Sequence, residues 1–323
     1  NKLKMKYNYV IFGSKAEFWK IAYKDVSDRS DVLYISKRIA TKSRLIYNFY
    51  RFTVSSLFKG LAEKNRYLWR RKAFKNPFKD KKPLCFLFFA GSEWYTEKYI
   101  NYLRKKYPDC KVVEYYQDLV AKTKADETLY KKCDLALSYD KSDAEKYGMT
   151  LYQDVYSEIK VEDDKNIEYS DVYFVGKGKD RLDTIYAVYE RLKNLGLKCD
   201  FYLADVPAEK RRFIGEISYG KVMPYSETLK HVVKTKAILE ILQGGSNGYT
   251  FRTGEAIVYG KKLITNNQGV TEEPFYHPEL IKVFSRPEDI TAEFVRNATE
   301  KTYGYKEEIS PERLLEFIDK TLQ

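Results

Sequence analysis

Short apolar segments alternate with amphipathic segments along most of this chain. The apolar segments are five to seven residues long and tend to end at glycine or small polar residues, which is typical of buried parallel strands. The amphipathic segments carry apolar residues three or four positions apart, as helices packed on a sheet do. Predicted strands occupy residues 7–12, 31–36, 84–90, 111–116, 134–138, 171–175, 198–203 and 237–242. Predicted helices occupy residues 38–72 with a break near Gly60, and residues 94–106, 141–147, 182–195, 226–235 and 311–322.

The same pattern divides the chain into parts. Residues 159–169 are acidic and poor in apolar side chains, so we interpret them as a linker. The linker separates a first domain, residues 1–158, from a second, residues 170–305, and residues 306–323 contain a last amphipathic helix. Repeated strand–helix units on both sides of the linker predict an α/β protein with two Rossmann-like domains and a cleft between them.

Composition narrows the class of protein. The chain has 323 residues, of which 44% are hydrophobic and 32% charged, as in a soluble globular protein of two domains. The longest apolar run, Leu84 to Ala90, is a strand length and far too short to cross a membrane. Four widely spaced cysteines suggest reduced thiols in a cytoplasmic protein. Two histidines are too few for us to expect a zinc cluster or a Ser-His-Asp triad.

The positive charge belongs to the first quarter of the chain. Residues 1–83 contain 22 Lys and Arg against 6 Asp and Glu, whereas the rest contains 36 against 40. Aromatic side chains lie between the cations over residues 37–82. This pattern suits an anionic membrane surface, and it also suits the phosphate backbone of a nucleic acid. A solvated helical face packed by its aromatic side chains is the alternative without a partner.

Residues 238–267 carry the most informative pattern, which predicts a strand, a glycine-rich loop, a helix and a second strand. The loop includes Gly245, Ser246 and Gly248 and leads directly into the helix that contains Glu255. Free amides at a helix start, with the helix dipole behind them, form an anion site. A carboxylate in the first turns of that helix suits the two hydroxyls of a ribose. A tight turn with no ligand is the alternative.

This segment resembles the C-terminal signature of GT-B glycosyltransferases, which reads Glu-Gly-Phe-Gly, four further residues and Glu-Ala. The matching residues here are Asn247-Gly248-Tyr249-Thr250 and, four residues later, Glu255-Ala256. The resemblance implies a GT-B fold, in which the last helix often returns to the first domain. It also implies that Glu255 binds the ribose of a nucleotide-diphosphate sugar and that the loop binds its phosphates. The loop residues concerned are Gly245, Ser246, Asn247, Gly248, Tyr249 and Thr250. Asn247 replaces the family's first carboxylate, which leaves the donor sugar and the stereochemistry open.

Two further segments match the donor domain of this family. The turn after residues 171–175 contains Lys177, Lys179 and Arg181 and resembles the family's basic diphosphate clamp. Fixed cations there would stabilise the charge that develops on the leaving phosphate; an ordinary solvated turn is the alternative. Tyr225 precedes a predicted helix capped by Ser226, and the family's equivalent loop lies beside the nucleotide base. A buried loop tyrosine is the alternative for Tyr225.

The acceptor should bind at the carboxyl ends of the first domain's strands. A hydroxyl acceptor needs a general base, and Asp118 and Glu93 are the carboxylates that we select, with Asp118 preferred. Asp140 is better explained as a helix cap. Residues 138–148 resemble a stretch found in bacterial capsule and lipopolysaccharide glycosyltransferases.

Together these features predict a glycosyltransferase of surface polysaccharide synthesis that transfers a sugar from a nucleotide-diphosphate sugar to a hydroxyl of a lipid-linked glycan. No Asp-x-Asp triplet occurs, so we expect no metal, and no cofactor other than the donor substrate. We expect a cytoplasmic protein at the inner face of the plasma membrane, without nucleic acid. The competing hypothesis is a non-catalytic protein that binds nucleic acid or an anionic surface through its basic first quarter.

Overall fold

The computed structural model describes residues 5–14, 16–36, 44–55, 61–91, 95–123, 128–242 and 248–322. Two six-stranded parallel sheets form its framework. The first sheet has the strand order β2-β1-β3-β4-β5-β6 and the second has the order β12-β11-β10-β7-β8-β9. The predicted fold class, α/β with two Rossmann-like units, is confirmed.

The first sheet is built from β1 (Asn8–Phe12), β2 (Val32–Ile35), β3 (Leu84–Phe89), β4 (Lys111–Tyr116), β5 (Leu135–Ser138) and β6 (Thr150–Leu151). The helices of this part are α1 (Glu17–Ala22), α2 (Lys24–Ser27), α3 (Arg44–Thr53), α4 (Ala62–Ala73), α5 (Glu97–Lys106) and α6 (Lys141–Tyr147). Buried apolar side chains lie on both faces of the sheet. This is why its strands are continuous apolar runs rather than alternating ones.

The second sheet is built from β7 (Ser170–Lys177), β8 (Cys199–Ala204), β9 (Ser218–Gly220), β10 (Thr235–Glu240), β11 (Lys262–Thr265) and β12 (Ile281–Val283). Its helices are α7 (Leu182–Asn194), α8 (Tyr225–Val233), α9 (Phe251–Val258) and α10 (Ala292–Arg296), and α11 (Pro311–Thr321) follows them. Residues 152–169 connect the two sheets and contain the predicted linker.

The chain passes between the two domains twice, and the two passages lie side by side at a place that we call the double crossing. The amide of Tyr156, on the way to the second sheet, donates to the carbonyl of Ile309 on the way back, at 2.8 Å. Helix α11 then packs Leu314 and Ile318 into the core of the first sheet. The hydroxyl of Tyr9 in β1 donates to the Leu315 carbonyl at 2.9 Å, which anchors this helix.

Local signals located several elements correctly. Helix α6 spans the predicted residues, and Oδ1 of Asp140 accepts from the amide of Asp143 at 3.0 Å, so the proposed cap is confirmed. The helix ends at Gly148 with φ of 65°, a conformation that favours glycine.

Other elements were misjudged or missed. Ser226 is not an N-cap, because α8 begins one residue earlier and Pro224 takes that position. Helices α1 and α2 were not predicted, since six and four residues are too few to show a helical period.

Helices α3 and α4 form a basic helix pair on the first domain. The indole of Trp69 in α4 donates to Oγ1 of Thr53 in α3 at 3.2 Å, and Tyr50 packs on the same indole. Several apolar side chains of α3 nevertheless face solvent, including Leu45, which is 82% exposed, and Phe49, which is 60% exposed. Among the described residues, no helix combines the length and the apolar character needed to cross a bilayer.

Candidate functional site

The strand order of the second sheet places its ligand crevice. From β7 the chain adds β8 and β9 on one side and then β10, β11 and β12 on the other, so the topological switch point lies between β7 and β10. Ligands of open parallel sheets bind at such a point, outside the carboxyl ends of the strands. Lys177 is the last residue of β7, the turn with Lys179 and Arg181 follows it, and the glycine-rich loop follows β10. Both predicted donor segments therefore begin at the switch point.

Arg181 connects the two strand ends. Its guanidinium donates to the carbonyl of Ile241, the first residue after β10, and lies 5.9 Å from the ring centroid of Phe174. Burial lowers the pKa of Arg181, and the nearby cation of Arg252 lowers it further. Arg181 therefore places a partly buried positive charge at the crevice, which suits an anion, whereas the nearby Arg252 is paired with Glu255.

The structure separates the other two predicted clamp residues from Arg181. Lys177 is exposed and pairs with Asp205, with 2.7 Å between Nζ and Oδ2. Lys177 and Lys179 line a cavity of about 610 Å³ on the β8 side of the turn. Arg181 is not part of its lining. The two lysines therefore face this cavity, whereas Arg181 faces the end of β10.

The described part of the glycine-rich loop is packed against the first domain. A Cβ at Gly248 would lie 2.6 Å from the ring of Tyr139, so only glycine fits there. The ring of Tyr249 is buried, 5.3 Å from that of Phe275. Thr250 caps α9, its Oγ1 accepting from the amide of Arg252 at 3.1 Å. The candidates Gly245, Ser246, Asn247 and Glu93 lie outside the described residues.

Glu240, which the sequence analysis did not select, organises the start of α9. Its Oε1 accepts from the amide and the hydroxyl of Thr250, at 3.3 and 2.6 Å, and from the hydroxyl of Thr253 at 3.0 Å. Its Oε2 accepts from the hydroxyl of Thr265 at 2.7 Å. A protein carboxylate therefore lies at the helix start where we expected a phosphate. A lone glutamate in the apolar run of residues 237–242 was the signal that could have revealed it.

Glu255 is fully enclosed by protein. Its side chain is 0% exposed, Oε1 accepts from the Tyr225 hydroxyl at 2.6 Å, and Oε2 forms an ion pair with Arg252. The Tyr225 hydroxyl also lies 2.6 Å from that of Tyr156. Burial raises the pKa of Tyr225 well above its usual range, and the Glu255 carboxylate raises it further. A ribose could reach Glu255, and a base could reach Tyr225, only after these partners move.

Helix α1 of the first domain closes this region. Oε2 of Glu17 accepts from the amide of Tyr225, the first residue of α8, at 2.8 Å. The rings of Phe18 and Trp19 lie 5.1 and 4.9 Å from that of Phe251 at the start of α9. The two domains are therefore in contact directly over the predicted donor site.

Asp118, the first-domain candidate that the structure describes, lies beside a buried polar cluster. Asp118 is exposed at the end of β4, where its Oδ1 accepts from the amide of Leu119 at 2.9 Å. Burial raises the pKa of Asp154 well above its usual range, and the Asp118 carboxylate raises it further. The amide of Gln117 donates to the Tyr23 hydroxyl at 3.1 Å. Asp154 was missed because it follows β6, a strand too short to predict.

Comparison with known proteins adds information on the fold. No family model matches the chain, and no curated protein matches it. Among solved structures, UDP-GlcNAc 2-epimerase from Methanocaldococcus jannaschii superposes with a TM-score of 0.53 and 10% identity, over 97% of this chain and 99% of that one. An alpha-glucosyltransferase in complex with UDP and a 13-mer DNA gives 0.50 and 13%, over 97% and 94%. The fold is GT-B. A co-structure of S. aureus MnaA with UDP gives 0.52 and 12%, over 97% and 96%. Identities this low establish the shared GT-B architecture alone.

Proposed function

We propose that this protein is a glycosyltransferase that moves a sugar from a nucleotide-diphosphate sugar to a hydroxyl group. The observation that carries the proposal is the position of Arg181, at the switch point between β7 and β10 and beside the glycine-rich loop. The GT-B fold supports it, since UDP is bound in structural neighbours of this chain. In this proposal the diphosphate lies against Arg181 and the loop, between the two domains.

The chemistry requires charge stabilisation on one side of the cleft and a base on the other. Breaking the bond between sugar and phosphate leaves negative charge on the diphosphate, which a fixed guanidinium such as Arg181 stabilises. The accepting hydroxyl must lose its proton, and Asp118 at the carboxyl edge of the first sheet is the described carboxylate that we assign to this step. Glu93 remains the second candidate.

Donor binding requires the domains to separate. Glu17, Phe18 and Trp19 cover the starts of α8 and α9, and Glu255 is enclosed by Tyr225 and Arg252. We therefore propose that the structure represents a closed arrangement, in which protein groups occupy the donor site. Movement of α1 away from α8 would free the amide of Tyr225 and expose the Glu255 region to a ribose. A population shift of this kind lowers the apparent affinity for the donor.

Titration calorimetry with UDP, GDP, CDP and dTDP tests donor binding. We expect one of them to bind the wild-type protein and Arg181→Ala to weaken that binding at least about tenfold, as loss of a charge-assisted hydrogen bond does. Lys198→Ala is the control, because Lys198 pairs with Glu168 near the amino ends of β7 and β8, at the opposite end of these strands from the switch point. Equal affinity in Arg181→Ala and Lys198→Ala would remove the phosphate assignment.

Product analysis then separates the reactions open to this fold. A glycosyltransferase leaves the donor sugar unchanged until an acceptor hydroxyl is added, apart from slow hydrolysis. Inversion of the sugar with no acceptor present would instead make the chain an epimerase, like several of its structural neighbours. Salt-sensitive binding to DNA or RNA without any affinity for nucleotide sugars would support the non-catalytic hypothesis.

The acceptor that we propose is a lipid-linked glycan of surface polysaccharide synthesis, reached at the inner face of the plasma membrane. The basic helix pair supports this part, because Leu45, Phe49 and Phe52 of α3 are 82%, 60% and 53% exposed within a strongly cationic segment. Apolar side chains surrounded by Lys and Arg are typical of helices that lie on anionic lipid.

Vesicle co-sedimentation tests the membrane contact. We expect the protein to bind vesicles that contain phosphatidylglycerol, and the triple change of Leu45, Phe49 and Phe52 to serine to reduce the bound fraction severalfold. Ile214→Ser is the control, because Ile214 is 72% exposed on the second domain. Unchanged sedimentation of the triple variant would exclude this surface.

A further inference from the structure

A second cavity lies at the double crossing between the domains, apart from the switch point. It measures about 440 Å³, within the ~300–1,000 Å³ typical of small-molecule sites. Three parts of the chain line it: the segment that leaves β6, the second domain near Tyr249, and helix α11.

Aromatic rings form much of the cavity wall. They belong to Tyr152, Tyr249, Tyr305 and Phe317. The rings of Tyr152 and Phe317 lie 4.9 Å apart, so the wall is held from both the β6 segment and α11. Such rings offer flat apolar faces with polar edges, which suit a ligand that has both characters.

The same cavity contains hydrogen-bond acceptors that no described residue satisfies. Asp154 is only 9% exposed, and its Oδ1 has no hydrogen-bond partner among the described residues. Oε1 of Gln153 is buried and equally without a partner in the described part of the chain, although the amide nitrogen of this side chain donates to Glu273 at 3.4 Å. A buried acceptor left unpaired costs ~1–3 kcal/mol, so its persistence points to a ligand that donates hydrogen bonds.

Carboxyl groups outnumber cations in the cavity lining, four (Asp154, Glu273, Glu308, Glu316) against two (Arg313, Lys320). Arg313 contacts both neighbouring glutamates, Glu316 at 2.8 Å and Glu308 at 3.8 Å. Burial raises the pKa of Glu273, and the Glu272 carboxylate raises it further. Burial has the same effect on the pKa of Asp154, so both carboxyl groups retain their protons to a higher pH than exposed carboxyl groups do. Unsatisfied acceptors and an excess of carboxyl groups do not suit a phosphate, but they suit hydroxyl groups.

We propose that this cavity binds a neutral sugar ring of the acceptor glycan, with its hydroxyls donating to Asp154 and Gln153 and its C–H face packed on the aromatic wall. The inference rests on the proposed glycosyltransferase function. The position fits that role, because Asp118, the assigned base, lies near enough to Asp154 to influence it.

An array of neutral and acidic oligosaccharides tests the assignment, followed by calorimetry on the glycans that the array retains. The cavity variants are Asp154→Leu, which replaces the unpaired carboxyl with an apolar group of similar size, and Tyr305→Ala. The controls are Asp109→Leu and Tyr169→Ala, at exposed positions outside the cavity. Thermal unfolding and titration with the four nucleoside diphosphates verify that each variant is folded.

We expect the wild-type protein and both controls to bind neutral glycans, and each cavity variant to bind them about tenfold more weakly with unchanged nucleotide affinity. The inference is overturned if no glycan binds, if only acidic glycans bind, or if both cavity variants bind like the wild type. Nucleotide binding without glycan binding would thus remove this inference alone. Glycan binding that needs Asp154 in a protein with no nucleotide affinity would remove the glycosyltransferase proposal instead.

Discussion

Buried carboxyl groups differ in their hydrogen bonding between the switch point of the second sheet and the cavity at the double crossing. At the switch point, Glu240 accepts four hydrogen bonds and Glu255 is held by Tyr225 and Arg252. At the crossing, Oδ1 of Asp154 accepts none from the described residues. Among the described residues, the carboxylates of the first region have their hydrogen-bond donors, whereas the carboxyl group of the second lacks one.

This difference shows that a buried polar residue can have one of two roles. Satisfied carboxylates stabilise the fold, and any ligand that uses them must compete with protein groups. An unsatisfied carboxyl costs stability and is retained for another reason, for which ligand binding is the simplest physical account. The glycine-rich motif of the sequence belongs to the switch point, where the carboxylates are satisfied. No sequence motif marked the cavity, where the carboxyl group of Asp154 is not.

The largest effect should follow from removing Glu240. Glu240→Leu would leave the hydroxyls of Thr250, Thr253 and Thr265 without their shared acceptor, and we expect a loss of about 3 kcal/mol or more in the free energy of unfolding. Glu240→Gln keeps one acceptor oxygen and should lose roughly half as much. Urea denaturation measures both, with Glu190→Ala on the exposed face of α7 as the control. A Glu240→Leu protein as stable as the control would show that the hydrogen bonds to Glu240 do not stabilise the switch point.

Asp154 should give a smaller effect of the opposite sign. Asp154→Leu removes an unpaired acceptor without leaving a partner behind, so we expect a gain of about 1–3 kcal/mol in the free energy of unfolding at neutral pH. The folded pKa of Asp154 is raised, so above the ordinary pKa of an aspartate the folded state binds more protons than the unfolded state does. Wild-type stability should therefore fall as pH rises above ~4, the ordinary range of an aspartate, and the advantage of the variant should grow.

Urea denaturation between pH 4 and pH 7 measures this divergence. Asp109→Leu, at an exposed position, should track the wild type at every pH. A destabilised Asp154→Leu protein, or an advantage that shrinks with rising pH, would mean that Asp154 has a partner and that the two regions do not differ in this way.

How far the sequence could be interpreted differs between these regions for physical reasons. Long apolar runs and glycine stops located most strands of both sheets, because burial on both faces of a parallel sheet leaves a plain signal. The switch point was located through its loop and basic turn. The partners of Glu255 could not be foreseen, since Tyr156 and Tyr225 reach it from distant parts of the chain. The cavity could not be predicted for the same reason, because residues 151–155, Glu273 and α11 come together only in the folded protein.

Helix α1 explains why the predicted donor site looks different in the folded chain. Six residues gave no periodic signal, yet Glu17, Phe18 and Trp19 cover the starts of α8 and α9. The roles assigned to Glu255, Tyr225, Thr250 and the loop remain predictions, and they now require an opened arrangement.

Weakening the contact between α1 and α8 should therefore increase the affinity for the donor. Glu17→Ala removes the carboxylate that accepts from the Tyr225 amide, and we expect the opened population to rise and nucleoside diphosphate affinity to increase about fivefold, roughly 1 kcal/mol. Calorimetry measures the affinity, and Glu145→Ala on the exposed face of α6 is the control. Unchanged or weaker nucleotide binding in Glu17→Ala would argue that the contact between α1 and α8 does not oppose the donor.

The smallest effect concerns Lys177, whose place in the phosphate clamp the structure leaves open. Lys177 pairs with Asp205 and Lys198 pairs with Glu168, and both lysine side chains are about half exposed. Exposed pairs contribute ~0–1 kcal/mol, so Lys177→Ala and Lys198→Ala should change the free energy of unfolding by similar, small amounts. Because Lys177 faces the β8 side of the turn while Arg181 faces β10, we expect Lys177→Ala to weaken nucleotide binding only about threefold, through its long-range charge. A loss as large as that of Arg181→Ala would show that the turn rearranges on binding and unites the three cations as one clamp. No loss at all would confine the phosphate contact to Arg181 and the loop.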